Sequence, residues 1–422
     1  MKTFTPRACT AVVLLAALLL SVACSDSSIL GNGVSHVTAE REVQEPPPVE
    51  SVSRAAWEWA VPEGHSIRSV EASPVGPLLS LNAGVVGLDG VSGEEVWHYL
   101  APEEERFVSQ VMNDGSAVLV SHGAEDAETP SRVLLLDARS GEVLTEFEPV
   151  PHDWNPGFTN GEARAFVTGP EDLVSVAGLD DGEELWRQPE QLTCEREPDA
   201  DITHQGVYGM YESVVVTVAN CTGATEIAAQ VVAGLDARTG EELWRWETEN
   251  ERLHMFTFAG DHVAVALPSG GDLAVINVLD GAVIQETDVN LLHLREDGYL
   301  VRVADAEQED DLFEFRRFDG EGAQSVTFQD QNAMAVFGED ENVALADGVV
   351  SVQSRLGGYD LTELSVAFTP WGSDEFTVLE SGFPAGPTGL EYPEEIPRVS
   401  HVPGAVVLLD AERPSQEIIA YQ

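Results

Sequence analysis

Apolar runs and short polar, glycine-bearing turns alternate along most of this chain, and one stretch shows the unit in full. Ser213–Val218 is rich in β-branched residues and reads as a strand, Ala228–Leu235 as the next. Asp236–Gly240 turns the chain, and Glu241–Trp246 is an outer strand carrying Leu243, Trp244 and Trp246. The same order of apolar strand, Leu-Asp, glycine turn and aromatic strand recurs at Leu88-Asp89…Gly93…Trp97, Leu136-Asp137…Gly141, Leu179-Asp180…Gly182…Trp186 and Leu235-Asp236…Gly240…Trp244. Weaker copies follow at Asn277…Gly281, Phe318-Asp319…Gly322, Tyr359-Asp360 and Leu409-Asp410. Positions 89, 137, 180, 236, 277, 319, 360 and 410 are thus separated by 48, 43, 56, 41, 42, 41 and 50 residues. One such unit cannot bury its apolar face alone. A repeat of this length with strand patterning predicts a radial array of four-stranded antiparallel sheets, an all-β propeller.

Each motif residue has a physical task in that picture. Gly240 suits a turn position with positive φ, and Asp236 can accept hydrogen bonds from the amides of its own turn. Trp244 offers a large apolar face to the gap between neighbouring sheets, with an indole N–H that needs one partner. The set Asp89, Gly93, Trp97, Asp137, Gly141, Asp180, Trp186, Asp236, Gly240 and Trp244 therefore reads as scaffold that docks one blade on the next. Eight motifs predict eight blades. Arg54–Trp59 looks like an outer strand without a motif before it, suited to complete the last blade and close the ring. Glu417–Tyr421 competes for that place, and seven blades is the alternative count.

These residues resemble the quinoprotein-type propeller, or PQQ-like repeat, marked by Asp-x-x-Thr/Ser-Gly-x-x-x-Trp. Residues 236–244 and 89–97 match it position for position. Asp137–Gly141 keeps the first half, with Thr145 in the Trp position, and Asp180–Trp186 is two turn residues short. Beyond residue 250 the Trp is replaced by Gln285, Thr327, Phe368 and Ile418. The resemblance covers residues 53–422 and speaks for fold more than for chemistry. It implies, for the quinoprotein dehydrogenases, a quinone in the central channel beside adjacent cysteines, calcium and a catalytic Asp. This chain has no adjacent cysteine pair, and its single lysine is Lys2. No cofactor is expected. The chain also resembles, in fold and anchoring, the propeller lipoprotein of the outer-membrane protein assembly machine of Gram-negative bacteria, a non-catalytic scaffold.

The amino-terminal residues change the picture of where the propeller works. Lys2 and Arg7 precede the apolar run Ala11–Leu20, too short to span a bilayer comfortably. Ser21-Val22-Ala23-Cys24 follows, which resembles a bacterial lipoprotein box and implies cleavage before Cys24 with a diacylglycerol on its sulfur. An ordinary secretory signal cleaved elsewhere is the alternative. Residues 1–23 are thus a leader, and 24–52, with Pro46-Pro47-Pro48 and no periodicity, a disordered tether. Once Cys9 leaves with the leader, Cys194 and Cys221 remain, both in the longest interval. In an oxidising compartment they are expected to pair, two free thiols or a metal pair being the alternatives.

Charge narrows the partners. Asp and Glu number 74 against 21 Lys and Arg, a net −53. Nucleic acid and anionic headgroups carry the wrong sign for this surface. Nucleophile elbows, zinc-protease helices, phosphate loops and dinucleotide fingerprints are absent from the sequence. His152-Asp153 and the pair His254 and His262 read as loop or strand histidines. The acidic runs 305–311 and 199–201 lack the spacing of a calcium loop and read as solvated. Phe376–Val402, with four prolines, reads as a long loop or an irregular blade. The chain is therefore expected to be an extracytoplasmic, membrane-anchored, monomeric platform that binds an envelope protein or a small ligand and catalyses nothing. A propeller enzyme, quinoprotein or polysaccharide-active, and a cation or small-ligand receptor are the alternatives.

Overall fold

The computed structural model describes the chain from Ser28 onward, apart from short stretches and the longer ones 149–157, 248–254, 304–310, 384–397 and 410–416. The leader, Cys24, Asp180, Asp319, Asp410, His152, Asp153, His254 and the run 305–310 lie outside the described residues.

The described residues form eight antiparallel sheets and no helix. The chain is a β-propeller. In the fourth sheet the strands Asp201–Tyr211, Val214–Thr222, Ile227–Asp236 and Glu242–Glu247 lie side by side in sequence order. Each is joined to the next by a hairpin, so register is set locally. First strands touch between the eighth and first, third and fourth, and fifth and sixth sheets, and last strands carry exposed side chains, so the sheets run from the axis outward.

Stabilisation comes from between the sheets. Period-two side chains on both faces of a radially set sheet must be apolar, and Val, Leu and Ile fill these positions. Leu78, Val85 and Trp97 of the first sheet share a core with Phe107, Val118 and Leu134 of the second. Similar shared cores join the third sheet to the fourth, and so on through the seventh and eighth. Val407, Leu409 and Ile418 of the eighth then pack on Leu79, Leu81 and Leu88 of the first. The ring closes by the same apolar burial that holds its neighbours together.

Closure is made by strands from both ends of the sequence. The eighth sheet has the order Ala55–Ala60, Glu417–Tyr421, Ala405–Leu409, Arg398–Val402. The early strand is outermost, and Glu417–Tyr421 is the third strand of that sheet rather than its edge. Two assignments change as a result. Leu409 ends the second strand of that sheet, not a third strand as the motif Leu does, and Asp410 itself lies outside the described residues. Asp360 likewise begins the third strand of the seventh sheet, after the hairpin from Gly348–Gly357. Phe368 and Ile418 therefore lie on third strands and do not replace a docking Trp. An apolar strand followed by Asp describes any hairpin of a buried sheet, which is why both positions imitate the repeat.

The disordered tether expected over 24–52 is also corrected within the described residues. Ser28–Leu30 and Val34–Val37 form a hairpin, and Val34–Val37 pairs with Glu95–Leu100, making the first sheet six-stranded. Val34 and His36 are buried, and Ala39 N–H donates to Ser140 O of the second sheet's turn. Further on, Asp347 N–H of the seventh sheet donates to Glu50 O, and Val52 enters the core between the seventh and eighth sheets. Burial alternates along Val34–Val37, but the second inward residue is His36, so the sequence shows no apolar alternation there. Phe376–Val402 contributes the strands Thr377–Phe383 and Arg398–Val402, its four prolines lying outside the described residues.

Candidate functional site

The repeat motif builds one device several times over. Asp89 Oδ1 accepts from Val91 N–H at 3.0 Å, Ser92 N–H at 2.8 Å and Ser92 Oγ–H at 2.9 Å. Gly93 N–H returns to Asp89 O at 2.8 Å. Asp137 makes the same set with Arg139 and Ser140, and Asp236 with Arg238 and Thr239. At Asp236, slight burial raises the carboxyl pKa, but the Thr239 hydroxyl, the two amides and the nearby Arg238 charge outweigh it and hold it below the usual value.

Each motif Trp then reaches over the next turn. Trp97 Nε1–H donates to Ala138 O at 3.0 Å, Trp186 Nε1–H to Ala237 O at 2.9 Å and Trp244 Nε1–H to Val278 O at 2.6 Å. The acceptor in every case is the residue after the motif Asp or Asn of the turn reached. Gly141 shows why glycine is required: φ is +71°, and a Cβ there would lie 2.7 Å from the Trp97 ring. Asp89, Asp137 and Asp236 thus shape the turns, and Gly93, Gly141 and Gly240 lie under a Trp ring of the neighbouring sheet.

Sequence reasoning missed one member. Trp57, on the strand that closes the ring, donates to Gly90 O at 3.0 Å, and its ring covers Gly93. It does for the seam what Trp97 does for the next interface. A buried polar chain was missed as well. The Tyr99 hydroxyl donates to His122 Nε2 at 2.7 Å, and His122 Nδ1–H donates to Glu105 at 2.6 Å, all between the first and second sheets. Burial pushes the Tyr99 hydroxyl up to about 12.

Cys194 and Cys221 form a disulfide with a Cα–Cα distance of 6.0 Å. Both are buried in a cluster with Val231, Ala233 and Leu235, and Cys221 lies on the second strand of its sheet. A quinone with calcium asks for a carboxylate cluster and adjacent cysteines near the axis. Among the described residues no three His, Cys, Asp or Glu are grouped to hold a metal ion. Arg68 is committed to Phe107 O and Arg295 to His401. The described residues do not fit that group.

The outer strands present a different kind of feature. Leu144, Leu185, Leu243 and Ile284 stand one residue before the Trp position of the second to fifth sheets and are 52%, 44%, 49% and 41% exposed. Two of them are flanked by ion pairs, Glu184 to Arg187 at 2.7 Å around Leu185 and Glu242 to Arg245 at 2.6 Å around Leu243. Exposed pairs of this kind stabilise the fold little. Each pair offsets one acidic charge beside its leucine, while Glu183 and Glu241 stay exposed next to them on a chain of net −53. In the first sheet the equivalent Val96 is partly packed on the core, and the strand Val34–Val37 covers that edge.

Residues 129–309 match the family model PQQ_2, described as outer membrane protein assembly factor BamB. No curated protein matches the sequence. Among solved structures, the quinohemoprotein alcohol dehydrogenase ADHIIG from Pseudomonas putida HK5 is 11% identical with a TM-score of 0.47, over 90% of this chain and 78% of that chain. The computationally designed Ika8 protein is 12% identical with a TM-score of 0.44, over 90% of this chain and all of that one. The WD40 domain of SCAP from fission yeast is 10% identical with a TM-score of 0.44, over 86% and 98%.

Proposed function

We propose that this PQQ-like β-propeller is a non-catalytic platform of the bacterial cell envelope, held to the membrane by a lipid on Cys24 and binding a protein partner along its outer rim. Its eight sheets serve as eight blades. The observation that carries this reading is the series Leu144, Leu185, Leu243 and Ile284. Isolated exposed leucines are ordinary, but one at the same strand position in four consecutive sheets makes a ladder of apolar points along one rim. The scaffold leaves about half of each of these side chains open to solvent. Beside two of them an arginine pairs with one acid and lowers the negative charge that a partner meets. The motif residues, in contrast, are committed to docking turns, so the repeat supplies architecture and the rim supplies recognition. The description of the matching family model, an assembly factor of the outer membrane, agrees in kind with such a role.

Affinity capture of the lipidated protein from its own membranes tests this. A stoichiometric protein partner is expected with the native chain and should be lost with the double variant Leu185→Glu, Leu243→Glu. Both side chains are exposed, so the melting temperature should stay within about 2 °C. Undiminished capture by the variant would remove the rim from the account.

A further inference from the structure

The amino-terminal hairpin does more than tidy an edge. If 24–52 were a free tether, Cys24 and Ser53 would be separated by a chain of up to about 100 Å, at roughly 3.5 Å per residue. The propeller could then turn any side to the bilayer. Instead, Ser28 pairs with His36, Ile29 with Ser35 and Leu30 with Val34. The second strand of this hairpin pairs with Glu95–Leu100, the outer strand of the first sheet. Three residues, 25–27, separate Cys24 from Ser28. The reach from the lipid to the rim therefore falls to about 14 Å at most.

The hairpin is latched to two sheets. Ser35 Oγ and His98 Nε2 lie 2.9 Å apart, and His98 Nδ1 is 2.6 Å from Glu95. His36 Nε2–H donates to Gly141 O at 2.8 Å, on the turn that Trp97 covers. Its ring packs edge-on against Tyr99 at 5.3 Å. The two added strands also carry the first sheet about 10 Å farther out than its neighbours, at the usual strand spacing.

We infer that the hairpin is a membrane mount: it fixes the rim of the first sheet as the side that faces the lipid bilayer, and turns the fourth and fifth sheets to the aqueous side. This rests on the lipid-anchor reading of Cys24. It also gives the rim ladder a direction. Leu243 and Ile284 lie on the sheets farthest round the ring from the mount, where a partner approaching from the aqueous space meets them. The second sheet, with Leu144, lies beside the bilayer.

Glu94, Glu241 and Ala282 occupy the same turn position in the first, fourth and fifth sheets, and all are exposed. A fluorophore attached there through a non-natural amino acid leaves the disulfide intact. The full chain, lipidated through its own leader, is placed in phosphatidylcholine vesicles containing an acceptor lipid. Energy transfer should be at least about twofold greater from position 94 than from position 282, with position 241 close to the latter. A 20-residue Gly-Ser insertion between Asp26 and Ser27 should bring the three values together. Equal transfer from the native chain, with Cys24→Ser abolishing vesicle binding, overturns the mount and leaves the lipid anchor standing. A native chain that does not float with vesicles overturns both.

Discussion

The indole nitrogen of Trp57 donates a hydrogen bond to the carbonyl of Gly90, and the two residues belong to the last and first sheets of the ring. This one bond repeats across the seam the geometry that Trp97, Trp186 and Trp244 make within the sequence. The seam is thus closed by strand pairing with Glu417–Tyr421 and by a docking Trp together.

Trp57→Ala should therefore behave as a core truncation, costing roughly 3–5 kcal/mol by chemical denaturation. Trp59, half-buried on the same strand, provides the comparison, and its replacement by Ala should cost clearly less. Equal losses from both would show that Trp57 has no special place at the seam.

Gly141→Ala tests the docking geometry from the other side. The positive φ alone opposes an L side chain, and the added methyl would meet the Trp97 ring. A loss of about 1–3 kcal/mol is expected, larger than that of Gly372→Ala. Gly372 has a φ of +69° but open space around its Cα, so the difference isolates the Trp contact.

How much of this was legible follows from where the motif is continuous. Asp236, Gly240 and Trp244 sit within nine residues, so turn, positive φ and docking face could be read together. Trp57 could not be paired with a turn, because the strand before it in its sheet lies at the other end of the chain. Asp360 and Leu409 imitate motif members because hydrophobicity reports that a strand is buried and not which strand of the sheet it is. Leu185 and Leu243 looked like ordinary strand residues until the sheet order placed them outermost. Val34 alternates inward with a histidine rather than an apolar residue, and Val52 is a single anchor, so neither shows an apolar period. The rim and the mount are properties of the ring, and a local pattern does not carry them.

Tyr99→Phe should leave His122 Nε2 buried without its donor. The cavity is small, so the cost is that of the unmet acceptor, about 1–3 kcal/mol in urea unfolding at neutral pH. The companion His122→Phe removes both hydrogen bonds and leaves Tyr99 and Glu105 to find others. A loss below about 0.5 kcal/mol for Tyr99→Phe would show that the chain from Tyr99 to Glu105 is not coupled.

Reducing the disulfide should loosen the fourth sheet more than its neighbours. Cys194 and Cys221 enclose a 27-residue separation, for which loop-closure entropy gives roughly 2–4 kcal/mol. Amide exchange in the paired Cys194→Ser, Cys221→Ser variant should rise first in Val214–Thr222, the strand that carries Cys221. Uniform loss of protection around the ring would mean that the sheets open as one body and the bond acts globally.

The acid dependence of one turn has a definite sign. The Asp236 carboxyl is held below its ordinary value in the folded chain, so folding favours its charged form. That contribution is complete above the unfolded pKa and disappears as pH falls through the folded value. The whole chain behaves oppositely over part of this range, since protonating some of its 74 acidic residues relieves self-repulsion. The test is therefore a difference. Urea midpoints of the native chain and of Asp236→Asn should lie farthest apart near pH 7 and converge as the pH is lowered toward 3. A gap that stays constant over that interval would show that the turn is held by its hydrogen-bond geometry alone and not by the charge on Asp236.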